Sequence, residues 1–205
     1  MKKVTILIVD DHSLVREACK MLLNSNAQFS VVGETGKGQE AVRLATDFQP
    51  DIVVMDINLG DISGIEATEL IRVSSPLTKI LAFSADRQPV NVKEAIKAGA
   101  MGYITKCSAA SELVEAILKI VSGGKYICEE VRDGLMEDFL KEKKDKNLTE
   151  KERKIAEYIK RGKTSKDISQ LLGIRTGTVD GYRSRILKKL EQKNSRALVN
   201  FLTTD

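Results

Sequence analysis

The sequence predicts an α/β unit, a five-stranded parallel sheet covered by helices on both faces, followed by a small all-helical unit. Three observations carry this. Through residue 125 or so, short apolar runs alternate with stretches of three- and four-residue apolar spacing, the rhythm of strands and helices in turn. From residue 148 onward only helical spacing remains. Charge divides the same way: residues 1–128 carry 14 Lys+Arg against 15 Asp+Glu, residues 148–205 carry 14 against 7, and 141–147 between them hold no apolar residue. Expected domains are 1–125, a connector over 126–147, and 148–205.

The composition excludes several classes. An apolar share of 42% fills a core, while 30% charged residues and the lack of any run near ~18 apolar residues argue against a membrane span. Cys19, Cys107 and Cys128 have neither the even count nor the spacing of a disulfide framework or zinc site. The apolar run after Met1-Lys2-Lys3 is short and ends in two acids, unlike a signal peptide. The expectation is a soluble, cytoplasmic protein with no membrane partner.

In chain order, strands are expected at Val4–Val9, Ser30–Gly33, Ile52–Met55, Ile80–Phe83 and Gly102–Ile104. Between them, Leu14, Ala18 and Leu22, or Leu113, Ile117, Ile120 and Val121, mark helix faces. Ser63 with Glu66 has capping-box spacing, and Ser108 and Ser111 are candidate caps. The residues just past the strands hold the functional clue. The first strand ends in Asp10-Asp11, the third in Asp56, the fourth in Ser84 and the fifth in Lys106. Ligands of open α/β sheets bind outside the carboxyl ends of strands, so these groups converge on one edge. Clustered acids repel unless a cation balances them, and an all-oxygen cluster suits Mg²⁺. Asp56 could then attack a phosphoryl group, with Lys106 neutralising and Ser84 hydrogen-bonding the transferred oxygens. Taken singly, each residue has a plainer reading: Asp11 as an N-cap for a helix from Ser13, Ser84 as a loop hydroxyl, Lys106 as a solvated cation. His12, the only histidine, reads as an exposed helix-start residue.

Four motifs carry a resemblance: Ile8-Val9-Asp10-Asp11-His12, Val53-Val54-Met55-Asp56-Ile57-Asn58, Ala82-Phe83-Ser84-Ala85 and Gly102-Tyr103-Ile104-Thr105-Lys106. In this order and spacing, residues 1–125 resemble a response-regulator receiver domain, which implies a flavodoxin-like (CheY-like) sheet of order 2-1-3-4-5. The resemblance implies that Asp56 accepts a phosphoryl group from a histidine kinase. It implies Mg²⁺ held by Asp10, Asp11, Asp56 and the backbone carbonyl of Asn58, and a switch formed by Ser84 and Tyr103. On phosphorylation the Ser84 hydroxyl would move toward the phosphoryl group and the Tyr103 ring would turn inward; a half-buried strand aromatic is the plainer reading of Tyr103. Leu59-Gly60 replaces a frequent Met-Pro, and Cys107 stands where many receivers have proline, so no cis peptide is expected there.

Beyond the sheet, Val131, Leu135, Met136, Phe139 and Leu140 make an apolar stripe over 129–140, an amphipathic helix with a surface to pack against. Thr149 with Glu152 and Thr164 with Asp167 start the next two helices; Gly162 ends the first of them. Gly173-Ile174-Arg175 makes a turn into a helix from about Thr176 to Leu190, and a last helix holds Leu198, Val199 and Leu202. Two helices joined by a Gly-containing turn, the second bearing Arg183, Arg185, Lys188 and Lys189, form a helix-turn-helix pattern suited to DNA phosphates.

Leu148-Thr149 with Glu152, Thr164-Ser165-Lys166-Asp167-Ile168-Ser169 after Gly162, Thr178-Val179 and Lys189-Leu190 resemble the LuxR/NarL-type DNA-binding domain. The resemblance implies phosphate contacts from Thr164, Ser165, Lys166, Thr178 and Lys189, the helix from Thr176 as the reader of double-stranded DNA, and dimerisation through the last helix at Leu198, Val199 and Leu202 once phosphorylated. Asp180 departs from a usual lysine and would accept from a cytosine amine; Tyr182 replaces a frequent histidine. Tyr182, Arg183, Ser184, Arg185 and Lys188 are expected to add contacts. The resulting expectation is a phosphorylation-dependent transcriptional regulator. Two rivals stand beside it. A phosphatase using Asp56 as transient nucleophile lacks a second acid two residues on, where Asn58 stands. An interaction protein would use its basic helices on an acidic partner.

Overall fold

The computed structural model describes residues 2–146 and 148–203, without the side chains of 140–146 and 203. The chain divides into two units, one running to Leu135 and the other starting at Met136. No helix among the described residues is long and apolar enough to cross a membrane.

The first unit alternates strand and helix: β1 (Val4–Val9), α1 (Ser13–Ser25), β2 (Phe29–Thr35), α2 (Gly38–Phe48), β3 (Ile52–Met55), α3 (Gly64–Ser74), β4 (Lys79–Ser84), α4 (Pro89–Ala98), β5 (Gly102–Thr105), α5 (Ala110–Val121) and β6 (Tyr126–Ile127). The sheet is parallel, in the order β2-β1-β3-β4-β5-β6. This corrects the expected five strands. The sixth pairs Gly102 with Tyr126 and Tyr103 with Ile127 at the β5 edge. Two residues following Gly123-Gly124 have no periodicity to display, so only pairing reveals them. The central strand β3 is buried at every position, as a parallel strand packed on both faces must be.

Helix starts hold two more corrections. Ser63 caps α3, accepting from the Glu66 amide. At α5, however, neither Ser108 nor Ser111 caps; Ala109 stands at the N-cap without a side-chain bond. The Ser108 hydroxyl lies 3.3 Å from that of Thr105 instead. No cis peptide bond occurs among the described residues.

The helix α6 (Glu129–Lys146) runs unbroken through the stretch expected to be a break, and crosses the boundary between the units. Val131 and Leu135 pack on the core of the first unit, whereas Met136 and Phe139 are exposed. The stripe is therefore covered over only its first half; Leu140 lies outside the described side chains.

The second unit contains α7 (Glu150–Lys160), α8 (Ser165–Leu172), α9 (Thr176–Lys189) and α10 (Ser195–Thr203). Full capping boxes start α7 at Thr149/Glu152 and α8 at Thr164/Asp167. Gly173, at φ +64°, ends α8 and sets the turn into α9. The core gathers Ile155, Ile159, Ile168, Val179, Ile186, Leu190 and Leu198. Leu198 is 0% exposed, which corrects its expected role as a dimer contact, because a fully buried side chain has no surface to give a second copy. Val199 and Leu202 are partly buried against the same core.

Candidate functional site

Sheet register brings the sequence-predicted groups together. Val9 pairs with Met55, Met55 with Ala82 and Ala82 with Tyr103, so Asp10, Asp56, Ser84 and Lys106 emerge along one edge. Asp10 and Asp56 are each 1% exposed. The Lys106 ammonium lies 2.7 Å from Oδ2 of both, donating a hydrogen bond to Asp56 and pairing with Asp10. Asp56 Oδ1 accepts from the Asn58 amide at 3.2 Å, and Asp10 Oδ1 from the His12 amide at 2.9 Å. Asp11 does not cap α1, whose N-cap residue is His12 with no side-chain bond. Its carboxylate instead meets the His12 Nδ1 at 2.6 Å. Sequence reasoning set His12 aside; its ring joins this rim.

One ammonium shared by two carboxylates leaves an excess of negative charge. Burial foremost pushes the Asp56 carboxyl above its usual range, against the pull of Lys106 and the Asn58 amide. Burial opposes the charge on Lys106 as well, but its contacts with Asp10 and Asp56 outweigh that and hold its pKa up. Oxygens of Asp10, Asp11 and Asp56 with a His12 nitrogen lie within 4.8 Å of one another. Asp10 Oδ2 is buried and faces the shared Lys106 ammonium at 2.7 Å. An oxygen-rich cluster with more negative charge than its one ammonium balances fits a hard divalent cation.

Around this pocket, Gly64 is required: a Cβ there would lie 1.8 Å from the Asp56 carbonyl oxygen. Gly64→Ala should lower the stability of the first unit by about 3 kcal/mol, since backbone cannot yield as a side chain does. Urea denaturation measures this, and an unchanged midpoint would mean that the start of α3 shifts freely.

Ser84 is buried, and its hydroxyl accepts from the Asp86 amide at 3.1 Å. Tyr103 is buried too, and its hydroxyl donates to the Asp86 carbonyl at 2.8 Å. Burial foremost pushes that phenol up to about 12. Asp86 thus links both switch candidates through a single residue. Next to it, Arg87 meets Glu130 of α6 at 3.4 Å, and Glu130 accepts from the Thr105 hydroxyl. None of Asp86, Arg87, Thr105 or Glu130 was singled out from sequence, where long-range polar pairs leave no pattern.

In the second unit, Thr164, Ser165, Asp180, Arg183 and Ser184 line one open cleft of about 440 Å³. Lys166, Thr178, Ser184, Arg185 and Lys188 are exposed. Arg183 also donates to the Lys163 carbonyl at 3.4 Å, and the Arg185 guanidinium stacks 4.4 Å over the Tyr182 ring. Lys189 is more deeply engaged. Its ammonium lies 2.7 Å from Oε2 of Glu152, which is 2% exposed and also accepts from the amide and hydroxyl of Thr149. Lys189 first, then Thr149, holds the Glu152 carboxyl down at about 2 against the opposing effect of burial.

Comparison with known proteins agrees with this division. Residues 6–118 match the response regulator receiver domain model, and residues 146–202 match the model of bacterial regulatory proteins of the luxR family. The transcriptional regulatory protein DesR of Bacillus subtilis is 37% identical, covering 93% of this chain and 92% of that one. The transcriptional regulatory protein MctR of Rhizobium johnstonii is 32% identical over 97% and 92%. Among solved structures, a LuxR-family two-component response regulator from Aurantimonas sp. SI85-9A1 has a TM-score of 0.65 at 37% identity, over 68% of this chain and 99% of that one. The Salmonella typhimurium RcsB response regulator, 20% identical over 98% and 100%, shares the fold at a TM-score of 0.73. With its receiver domain and its LuxR-type output domain, the chain belongs to the response regulators of two-component systems, as a DNA-binding transcriptional regulator of the LuxR/NarL family.

Proposed function

We propose that a histidine kinase phosphorylates this regulator on Asp56, and that phosphorylation alters its binding to DNA as a dimer, in the cytoplasm. The observation that supports this most is the pocket itself: two buried carboxylates share the single Lys106 ammonium with Asp11 beside them, which leaves negative charge for a cation to balance. Asp10, Asp11, Asp56 and the Asn58 carbonyl would hold Mg²⁺, which when bound neutralises charge on the transferring oxygens. A carboxylate oxygen of Asp56 attacks phosphorus, the O–P bond forms as the P–N bond of the donor phosphohistidine breaks, and the imidazole leaves. Lys106 then turns its ammonium to a phosphoryl oxygen, and Ser84 donates its hydroxyl to another.

Ser84 holds the Asp86 amide and Tyr103 the Asp86 carbonyl, so drawing Ser84 toward the phosphoryl group disturbs the loop that Tyr103 anchors. Phosphorylation shifts the two-state balance by no more than its differential interaction with the two states. On the output side, Thr164, Ser165, Lys166, Thr178, Lys188 and Lys189 contact phosphates, while Tyr182, Arg183, Ser184 and Arg185 flank the reading face of α9. Dimerisation uses what α10 leaves uncovered at Val199 and Leu202.

The test is selection of bound duplexes from a random pool, with and without beryllofluoride as phosphoryl mimic. Enrichment with the mimic of a two-part site, half-sites about one helical turn apart, is the expected result. Absence of duplex binding at low salt in either state would instead assign the basic helices to an acidic protein partner.

A further inference from the structure

The loop between β3 and α3 has to present the Asn58 carbonyl to the ion, yet it contains Leu59-Gly60, a pair with little stiffness of its own. Leu59 packs against the core, but a Cβ on Gly60 would meet nothing within 4 Å, so packing does not hold the loop at Gly60 itself. Its anchor lies one residue on. Both carboxylate oxygens of Asp61 reach across 22 and 23 residues to the first turn of α2, Oδ1 accepting from the Gly38 amide at 2.8 Å and Oδ2 from the Gln39 amide at 3.0 Å.

That helix has no cap of its own, since Lys37 stands at the N-cap and makes no side-chain bond. The first amides of a helix lack internal partners and attract negative charge; Asp61 supplies both needs from another segment. These amides hold its carboxyl below the usual range. Ile62 adds a close fit, because a Cβ on Gly38 would lie 2.6 Å from its Cγ1. With Ser63 capping α3 and the Asn58 amide on Asp56, the loop is tied at both ends, and Asp61 and Ile62 tie it across to α2.

We propose that Asp61 is a positioning residue for the Mg²⁺ site: by capping α2 from the β3–α3 loop, it fixes that loop so that the Asn58 carbonyl faces the pocket before the ion arrives. This rests on the reading of the acidic pocket as a Mg²⁺ site. Outer-shell partners of this kind are worth about 10–100-fold in metal affinity.

The test uses the full chain and Mg²⁺ alone, with binding followed by amide shifts and exchange of the Gly38 and Gln39 amides measured in metal-free protein. Asp61→Ala should weaken Mg²⁺ binding by about tenfold and remove protection from both amides. Asp61→Asn, with one acceptor oxygen for two amides, should fall between. Glu40→Ala is the control: Glu40 holds Thr35 at the start of α2 without touching the β3–α3 loop, so its affinity should match wild type. Equal weakening in Glu40→Ala would reduce Asp61 to general support of α2 and overturn the proposal. So would wild-type affinity in Asp61→Ala while the wild-type chain binds Mg²⁺. If the wild-type chain fails to bind, the pocket reading itself falls.

Discussion

Asp56→Asn abolishes acid-labile phosphoryl uptake from a small phosphodonor with Mg²⁺, a loss of at least a hundredfold and to the limit of detection by intact mass, while the chain stays folded. An amide oxygen carries no full charge and forms no stable acyl phosphate, so the reaction is lost rather than slowed. Folding responds in the opposite direction. Burial raises the Asp56 carboxyl pKa in the native state, so the folded chain binds its proton more tightly than the unfolded one. Asp56 therefore costs stability once pH rises above its ordinary value of 3.8, and the cost is full above the raised native value. In metal-free buffer at pH 7, Asp56→Asn should melt at or above the wild-type midpoint, with a steeper acid limb, because protonation of Asp56 no longer offsets acid destabilisation. Undiminished labelling of this variant would sink the phosphoacceptor assignment.

Lys189→Ala carries the second large effect, and it begins in folding. Glu152 would keep its charge at a position 2% exposed with only Thr149 as donor. Breaking a fully buried pair costs about 3–5 kcal/mol. The Lys189 side chain is 36% exposed, so solvent screening brings the loss down to about 2 kcal/mol. For a small unit this is a large share of its stability, and DNA binding should fall on every sequence alike. Lys189→Ala combined with Glu152→Gln separates the causes. Removing the stranded charge should restore the thermal midpoint, while affinity stays low and the log–log salt slope is flatter by about one, as for a lost phosphate contact. Full recovery of affinity would make Lys189 purely structural. Because Glu152 is held at about 2 rather than 4.5, the pair stabilises the unit fully above pH 4.5, and this is lost as pH falls toward 2.

Much of the receiver pocket was legible because chemistry comes directly after uninterrupted apolar runs: Asp10, Asp56 and Lys106 each stand just past a buried strand, and Ser84 is the last residue of one. The helical unit was legible through Thr149/Glu152 and Thr164/Asp167, whose three-residue spacing is local. What stayed hidden is long-range. β6 is two residues that exist only by pairing with β5. Ser108 resembles a cap until its hydroxyl is found beside Thr105. Leu198 sits on an apolar stripe, and periodicity marks a stripe without saying whether it faces its own core or a second copy. Lys189 looks like a free cation until Glu152, 37 residues earlier, is found beneath it. The Asp61 link to α2 and the Glu130 link to Arg87 are of the same kind.

Lys106 gives the receiver a built-in counterion. Its ammonium occupies the gap between two sealed carboxylates, so the idle pocket tolerates its own repulsion without borrowing a cation from the surrounding fluid. A chelator should therefore leave this domain folded, since its own lysine rather than a bound ion holds the two acids together.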